Sequence, residues 1–581
     1  MNARADRRVI EAGDSALLLQ IGPSGSSGRV TPFDADVNRE AIGVAESIRR
    51  TPGAGVRDVI STYRSVAVFF DPLEADVDNL RATLKSCEPI EHAGQAARRV
   101  DVPVMYGGQD GPDLDDVASF AGCDAAAVIE RHLSRTYRVF MVGFLPGFPY
   151  MAAVDPSIAA PRRPTPRVSV PSGSVGIAGQ QTGIYPSDSP GGWQIIGRTP
   201  LTLFDPDRTP PALFAPGDMV RFTQATPNVL SPTQTPGTNS GPGTKHQAQG
   251  TASITVLRPG LMSSIQDRGR WGYAHLGVPP AGPMDPAAHS RANWIVGNSD
   301  AAATIEATLV GPELRCEEAV RIAIAGADLS AELDGVPINP DAPAECAPGS
   351  VLRFGSRKSG GRAYISFAGG IDVPSVLGSR ATHVQSGMGG LDGRLLRAGD
   401  RLSIGAADAT AVTPVGRTLS GPPGEPNRAA SLGAGEARPT RGRSGVVRGG
   451  ARLRVIRGPQ ADYFDDVAFD RLQRSRFVIS PQSNRMGYRL SGDRIPVLSA
   501  GGMMSDAVFT GAIQVPPSGD PILLMADRQT TGGYPQIAVL ISADMPVAGQ
   551  LLPGDWIKFE LCTRADAIAA LREQRHSNGT D

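Results

Sequence analysis

Short apolar runs, broken every few residues by glycine and proline, fill most of the chain, but the first ninety residues mix two periods. Residues 15–22 (SALLLQIG) read as a strand, and 56–70 (VRDVISTYRSVAVFF) as one or two more. In 37–51 and 73–87 an apolar residue returns every three or four positions, with Ile42, Val44, Ala45 and Ile48 in the first and Leu80, Leu84 and Cys87 in the second. That is the helical period. The order β-α-β-β-α predicts a small α/β sandwich. A further helix is expected over 113–134. From Tyr137 onward the pattern is strand and turn, apart from helices over 285–297 and 564–575.

Composition narrows what this pattern can be. At about 150 residues per domain, a chain of 581 residues should hold several. Its 69 glycines and 50 prolines make up about a fifth of it, against an average of about 12%. Such an excess fits disorder, collagen or a turn-dense β protein. There is no Gly-X-Y period, and 40% hydrophobic residues with 57 basic against 58 acidic ones argue against wholesale disorder. Many short strands joined by Gly/Pro turns remain. Two stretches differ, 223–252 and the arginine-bearing 406–450, which are too polar to offset their ordering entropy and read as linkers.

Internal repeats carry more than any single motif. FAPGDMVRF (214–222), CAPGSVLRF (346–354), LRAGDRLSI (396–404) and LLPGDWIKF (551–559) share a turn glycine and an alternating strand. A longer pair, VSVPSGSVGIAGQQTGIYP (168–186) and IQVPPSGDPILLMADRQTTGGYP (513–535), shares V-P-(P)-S-G, an apolar run and Q-T-(T)-G-x-Y-P. Two regions therefore look like copies of one β-barrel module. Either one copy has lost its function, or the two form a pseudo-twofold pair whose Q-T-G turns face a shared cleft.

Charge and cysteine usage exclude several classes. A net charge of −1 leaves no footprint for nucleic acid or an anionic membrane. No signal-like segment and no apolar run of membrane-spanning length is present, so the cytoplasm is the expected place. The five cysteines and seven histidines show no metal-ligand spacing, and neither a structural metal nor a disulfide framework is expected. Neither a P-loop nor a G-x-S-x-G elbow nor a dinucleotide fingerprint occurs. None of Lys85, Lys245, Lys358 and Lys558 lies between methionines, so bound biotin is not expected.

Candidate chemistry gathers in a few places. GFLPGFPY (143–150) fixes a rigid loop of the kind that lets backbone approach a ligand. His132 precedes a strand, as a catalytic group or as a helix-end histidine. Arg162, Arg163 and Arg167 could clamp an anion, or be solvated. Gln266, Asp267, Arg268, His275, Asp285 and Asn293 crowd one turn-rich segment, with Asp285 expected to cap a helix. Glu306 interrupts an apolar strand, where a carboxylate is paired or functional. Asn484 and Arg485 offer donors on a tight turn, and Asp527, Arg528 and Gln529 emerge at the end of the strand ILLMA.

At this point whole phrases are recognisable. GFLPGFPYMAAVDP, PRRPTPRVSVPSGSVGIAGQQTGIYP and SPGGWQIIGRTPLTLFDP closely resemble allophanate hydrolase subunit 1, also called the B subunit of 5-oxoprolinase. RPGLMSSIQDRGRWGYAHLGVPPAGPMD, FAGGIDVPSVLGSRAT, SNRMGYRLSG and ADRQTTGGYPQIAVLISAD resemble the companion allophanate hydrolase subunit 2, the C subunit of 5-oxoprolinase. The resemblance implies a natural fusion of the two, mainly β, with a small N-terminal α/β sandwich and multiple cyclophilin-like β-barrel domains. The expected division is 1–97 (α/β), 98–222 (barrel), 223–252 (linker), 253–405 (β domain), 406–450 (linker or insertion) and 451–570 (barrel).

It also implies a partner, the 5-oxoprolinase A subunit, and a small amide substrate, 5-oxoproline, opened to glutamate with ATP hydrolysis. The ATP site is not assigned, and a homo-oligomer is left open. Carried over by position, His132, Arg167, Gln181 and Tyr185 would line a first-half cleft. Gln266, Asp267, His275, Asn484, Arg485, Asp527, Gln529 and Thr530 would line a second. Asp267 or His275 would be the base, with His132 and Asp527 as further catalytic candidates and Arg167 and Arg485 as anion clamps. One departure is Asp506-Ala507, where relatives often carry an acid followed by glycine. Two alternatives remain: a carboxyltransferase module for a urea-like amide, and a non-catalytic regulator of a histidine kinase.

Overall fold

A computed structural model describes residues 6–22, 33–90, 97–225, 250, 252–407, 449–498 and 503–578. The two stretches read as linkers lie mostly outside these residues.

The N-terminal unit is an antiparallel sheet in the order Arg7–Glu11, Ala16–Ile21, Ser65–Phe70, Val56–Ser61. Strand alternation gives it two apolar faces. Leu17, Leu19, Val66, Val68 and Phe70 pack under the helices Ala35–Arg50 and Val77–Ser86, capped by the Asp34 and Asp76 carboxylates. Leu18, Ile60, Ala67 and Phe69 pack instead against Val508, Phe509 and Val539 of the C-terminal region. A sheet covered on both sides needs nearly continuous apolar strands, and ALLLQI and SVAVFF supply them. The sequence pattern predicts the helices correctly and misses the first strand, RRVIE, which is only half-buried.

Two closed seven-stranded barrels follow the same plan. The first uses Arg99–Tyr106, Thr136–Val142, Pro149–Ala152, Ser174–Ala178, Gln181–Ile184, Gln194–Arg198 and Met219–Gln224. The second uses Gly450–Arg457, Phe477–Ile479, Gly487–Ser491, Ala512–Gln514, Ile522–Leu524, Gln536–Leu540 and Trp556–Leu561. Counted along the chain, neighbours around each ring run first, sixth, fourth, fifth, third, second, seventh and back to first. In both, the seventh strand is parallel to the first and antiparallel to the second. Each barrel also carries a two-stranded ribbon, Arg167–Val170 with Ser189–Gly191 and Asp506–Ala507 with Thr531–Gly532.

The duplication is therefore real, but the sequence match is displaced by one strand. Gln181-Thr182-Gly183 lies in the fifth strand of its barrel, whereas Gln529–Gly532 follows the fifth strand and enters the ribbon. By strand order the counterpart of Gly532-Gly533-Tyr534 is Gly191-Gly192-Trp193. Successive barrel strands alternate alike and are joined by similar turns, so the two sequences slide past one another easily. The P-G-D phrase keeps its register: FAPGDMVRF and LLPGDWIKF each open a seventh strand, with Gly217 and Gly554 at φ of 98° and 92°.

Between the barrels in sequence, a seven-stranded and a five-stranded sheet share one core from Ile254, Leu314, Leu352 and Leu402 to Ile305, Ile324 and Ile365. The helix Pro286–Ile295 is capped by Asp285, whose carboxylate accepts from Ala288 N at 2.9 Å. The stretch 113–134 is two helices, Leu114–Ala121 and Ala125–Leu133, because Gly122 at φ 62° ends one and Asp124 caps the next. The helix Asp466–Arg474 was not expected; only Ala468, Phe469 and Leu472 of its mostly polar sequence are buried. No helix among the described residues is long and apolar enough to cross a membrane.

Candidate functional site

The first barrel reaches the second through its loop 143–148. Phe144 adopts φ 65°, uncommon for so large a side chain, and its N–H donates to Thr531 Oγ1 at 2.9 Å. A Cβ on Gly143 would collide with that oxygen, so only glycine fits. Gly147 N–H donates to Leu276 O at 2.8 Å, joining the loop to the turn Ala274–Leu276. The Gly/Pro loop is thus shaped for another domain.

Behind it, the Phe148 ring centroid lies 4.8, 5.3 and 5.4 Å from those of Tyr150, Tyr185 and Trp193. Burial raises the Tyr150 hydroxyl, and the side chains of Thr531 and Ser505 beside it pull in the opposite direction. Tyr63, from the N-terminal sheet, stands 6.4 Å from Tyr150, and its buried hydroxyl has no partner among the described residues. Exposed Arg162 brings a positive charge to Tyr63, Tyr150 and Tyr185.

A second polar centre lies where the sheet, the second barrel and the turn Ala274–Leu276 converge. Asp58 Oδ2 accepts from Gly272 N at 2.9 Å and Ala274 N at 3.1 Å, and Oδ1 from Val59 N at 2.9 Å. Burial pushes its carboxyl up to about 6, against the pull of these donors and of Arg49. Burial, assisted by the Arg49 charge, holds His275 down at about 4, so its imidazole is neutral at pH 7. Its ring sits beside the Gly272 backbone, and Nδ1 is buried without a partner among the described residues. Arg528 is fully buried against the Phe69 ring, 5.8 Å from its centroid; Nε and Nη1 make no hydrogen bond among the described residues. Burial lowers it to about 10, with Asp58 opposing, so it stays cationic. Thr530 Oγ1, two residues further along and buried, is also without a partner among the described residues.

Other buried charges form a chain between the middle sheets and the second barrel, in which Arg270 Nη1 and Arg362 Nε alone stay unfilled among the described residues. Arg485 holds both oxygens of Asp527 at 2.9 Å, pairs with Glu306 and donates to Gly282 O at 2.5 Å. Glu306 also accepts from the Tyr364 hydroxyl at 2.7 Å and from Met284 N at 2.9 Å. Burial opposes the charge of Arg485, but its two carboxylates raise its pKa overall. Arg270 lies within reach of the Asp267 and Asp527 charges and donates to Val376 O and Ala381 O at 2.8 and 3.0 Å. Such a network is costly to break at one end and fixes how the two domains dock.

The residues proposed from sequence therefore fall into separate places. His132 is sealed in the first barrel, 2.8 Å from the Tyr106 hydroxyl and 3.1 Å from Thr182 Oγ1, and burial holds it near 3. It is a satisfied core histidine, out of reach of a substrate. Arg167 is bidentate to Asp113 at 2.8 and 2.6 Å, a carboxylate it shares with Arg163. With Arg485 likewise occupied, neither has the free donors an anion clamp needs. Asp267 accepts from Ser379 Oγ, Gly269 N and Arg380 N at 2.6, 2.9 and 2.5 Å, which makes it a turn-holding residue rather than a free base.

Gln266 is buried with Nε2 on Ser264 Oγ at 3.0 Å, and Asn484 is exposed, accepting from Met486 N at 2.8 Å. Gln181 and Gln529 are half-buried, with Gln181 Oε1 unpartnered among the described residues, and Tyr185 belongs to the aromatic junction. Of the residues proposed from sequence, Gln181, Gln266, His275 and Thr530 each keep a buried polar atom without a partner among the described residues. Sequence reasoning missed Asp58, Arg49, Tyr63 and Tyr150. A charge inside the apolar strand VRDVIS was the one available signal for Asp58.

The chain can now be set beside known proteins. The description "Carboxyltransferase domain, subdomain C and D" fits residues 8–214, and "Carboxyltransferase domain, subdomain A and B" fits 276–561. The C subunit of 5-oxoprolinase from Escherichia coli (strain K12) is 35% identical over 322 residues, 55% of this chain and 95% of that protein. The B subunit of 5-oxoprolinase from Bacillus subtilis (strain 168) is 38% identical over 229 residues, 37% of this chain and 92% of its own length. The chain belongs to the family of 5-oxoprolinase B and C subunits. Within that family it carries both parts in one polypeptide.

The solved structure of TTHA0988 shares the whole arrangement, with a TM-score of 0.76 and 33% identity over 94% of this chain and 99% of that one. Urea amidolyase of Saccharomyces cerevisiae is 34% identical over 334 residues, only 17% of its length. Relatives of this 5-oxoprolinase B/C fusion are thus components of enzyme complexes.

Proposed function

We propose that this chain is the fused B/C component of an ATP-dependent 5-oxoprolinase, opening 5-oxoproline to glutamate together with a separate A subunit. One observation carries the reading: the chain matches a C-type and a B-type relative over 95% and 92% of their lengths. A lactam carbonyl is a poor electrophile, so coupling its opening to ATP is chemically sensible. The described residues hold no cluster of three His, Cys, Asp or Glu side chains able to hold a cation, and no glycine-rich loop ends in lysine. No nucleotide site is assigned on this chain, and no step is derived through ATP. What its residues offer is a water-poor centre with a neutral imidazole, His275, as acceptor and a guanidinium, Arg528, as donor.

The description of both halves as carboxyltransferase subdomains favours a second reading, carboxyl transfer to a urea-like amide. The deciding experiment is purification with the A subunit, followed by assay of glutamate release from 5-oxoproline. Turnover should require ATP and both proteins. No turnover of 5-oxoproline, alongside biotin-carrier-dependent carboxylation of urea, would establish the second reading instead.

A further inference from the structure

A groove of about 450 Å³ runs along the seam where the B-like and C-like parts meet. Arg57 and Phe69 line it from the N-terminal sheet, Arg268 and Trp271 from the turn after the strand Met262–Gln266, and Phe509 and Ala526 from beside the second barrel. Neither part encloses it alone, and its volume falls in the range of small-molecule sites. One wall is apolar: the Phe69 and Phe509 rings lie 5.3 Å apart, and Trp271 packs against the same cluster.

A charged corner adjoins that wall. Trp271 Nε1 donates to Arg268 O at 3.1 Å, and the Arg57 guanidinium lies over the indole, 5.4 Å from its centroid. The strongest charges acting on Arg57 are those of Asp71, Arg268, Glu74 and Arg575, so three guanidiniums stand against two carboxylates. Buried Asp71 takes both Arg57 and Arg575, at 2.5 and 3.1 Å. Arg268 is exposed, and its side chain makes no hydrogen bond or ion pair among the described residues. Its charge adds to the burial that lowers Arg57. A cleft with one uncompensated cation beside an apolar wall draws in an anion.

We propose that this groove is a binding site for a small monocarboxylate with a flat polar ring, its carboxylate on Arg268 and its ring against Trp271. A guanidinium with free donors meets a carboxylate in bidentate fashion, and one excess positive charge matches one carboxylate. The proposal deepens the 5-oxoprolinase reading and rests on it for the ring, a lactam. Arg57 comes from the B-like part and Arg268 from the C-like part, so the site exists only where both are joined.

The test uses the full chain without the A subunit. Calorimetric titration is read beside tryptophan emission, since Trp271 and Trp294 both line the groove and the chain has four tryptophans. 5-Oxoproline should bind saturably, and neutral 2-pyrrolidinone about tenfold more weakly, the loss expected for a missing charged hydrogen-bonded pair. Arg268→Met should weaken 5-oxoproline about tenfold and leave 2-pyrrolidinone unchanged, a split that a merely structural change would not produce. Because this side chain is exposed and unpaired, the variant should melt no lower than the unsubstituted chain. Arg268→Lys should recover part of the affinity. Ala287→Trp, which fills the groove from the helix Pro286–Ile295, should weaken both probes.

Absence of saturable binding, or equal affinity of Arg268→Met and the unsubstituted chain for 5-oxoproline, would overturn the proposal. So would a folded Ala287→Trp chain that binds both probes normally. Binding that depends on Arg268, without glutamate release by the assembled enzyme, would keep the site and reject the 5-oxoprolinase reading. Glutamate release with an unchanged KM in Arg268→Met would do the reverse.

Discussion

The two barrels share a ring order and differ in what they bury. Tyr137 faces Val220 of the seventh strand in the first, and Phe477 faces Ile557 in the second, positions fixed by the shared P-G-D turn. Five residues upstream of each stand His132 and Leu472, both completely buried. The first barrel encloses a Tyr106–His132–Thr182 chain. Thr182 Oγ1 donates onward to Gly176 O at 3.0 Å, so His132 Nε2 is the donor to Thr182 and Nδ1 accepts from Tyr106. The second barrel has an apolar residue in that place, and unfilled polar atoms occur in both, at Gln181, Ser189 and Gln194 in the first and at Arg528, Thr530 and Gln536 in the second. A buried polar group points to function when its partners are missing, not because it is polar.

The contrast between saturated and unsaturated groups can be broken in several ways. Arg485→Met strips Asp527 and Glu306 of their counter-charge and should cost about 3–5 kcal/mol in urea unfolding. Arg167→Met, on a half-buried pair where Arg163 still serves Asp113, should cost about 1 kcal/mol or less. Equal losses would mean that the two ion pairs are not distinguished by burial.

Next in size, His132→Leu writes the second barrel's choice into the first. Leaving the Tyr106 hydroxyl without its acceptor should cost about 1–3 kcal/mol, while turnover of the assembled enzyme stays unchanged. Lost turnover in a folded variant would return His132 to the catalytic set.

Acid titration sharpens the same point. His132 is held near 3 in the folded chain against 6.5 when exposed. The unfolded chain therefore takes up the proton first as pH falls below 6.5, and stability drops by about 1.4 kcal/mol per pH unit per such group. Asp58, raised to about 6, acts in the opposite sense: the folded chain protonates first and gains stability between about 6 and 3.8. Comparing His132→Leu with the unsubstituted chain from pH 6.5 to 5.5 isolates the histidine, and the variant should show the flatter slope. Identical slopes would show that His132 is not shielded. A similarly small effect is expected for Thr531→Val, which removes the contact with Phe144 N and should cost about 1 kcal/mol, measurable as easier proteolysis at the barrel junction.

Much of this was legible beforehand, for identifiable reasons. Turn chemistry and alternation are local, so the duplicated barrels and the Asp285 cap follow from nearby residues. The pairing of Asp527 did not: its bond goes to Arg485, 42 positions away. Glu306 meets Arg485 across 179 positions. The one-strand displacement of the repeat was hidden because alternating strands resemble each other at every register. Which polar atoms stay unfilled depends on three domains meeting, and no local pattern carries that.

The second apolar face of the N-terminal sheet has a consequence for assembly. Leu18, Ile60, Ala67 and Phe69 are covered by residues of the C-terminal barrel, so the B-like and C-like parts meet within one chain. Joining them by a tether turns a second-order encounter into a unimolecular one, with an effective concentration on the order of millimolar. Dilution, which separates independently made subunits through mass action, leaves this pair together, and one translated message delivers both parts in equal number.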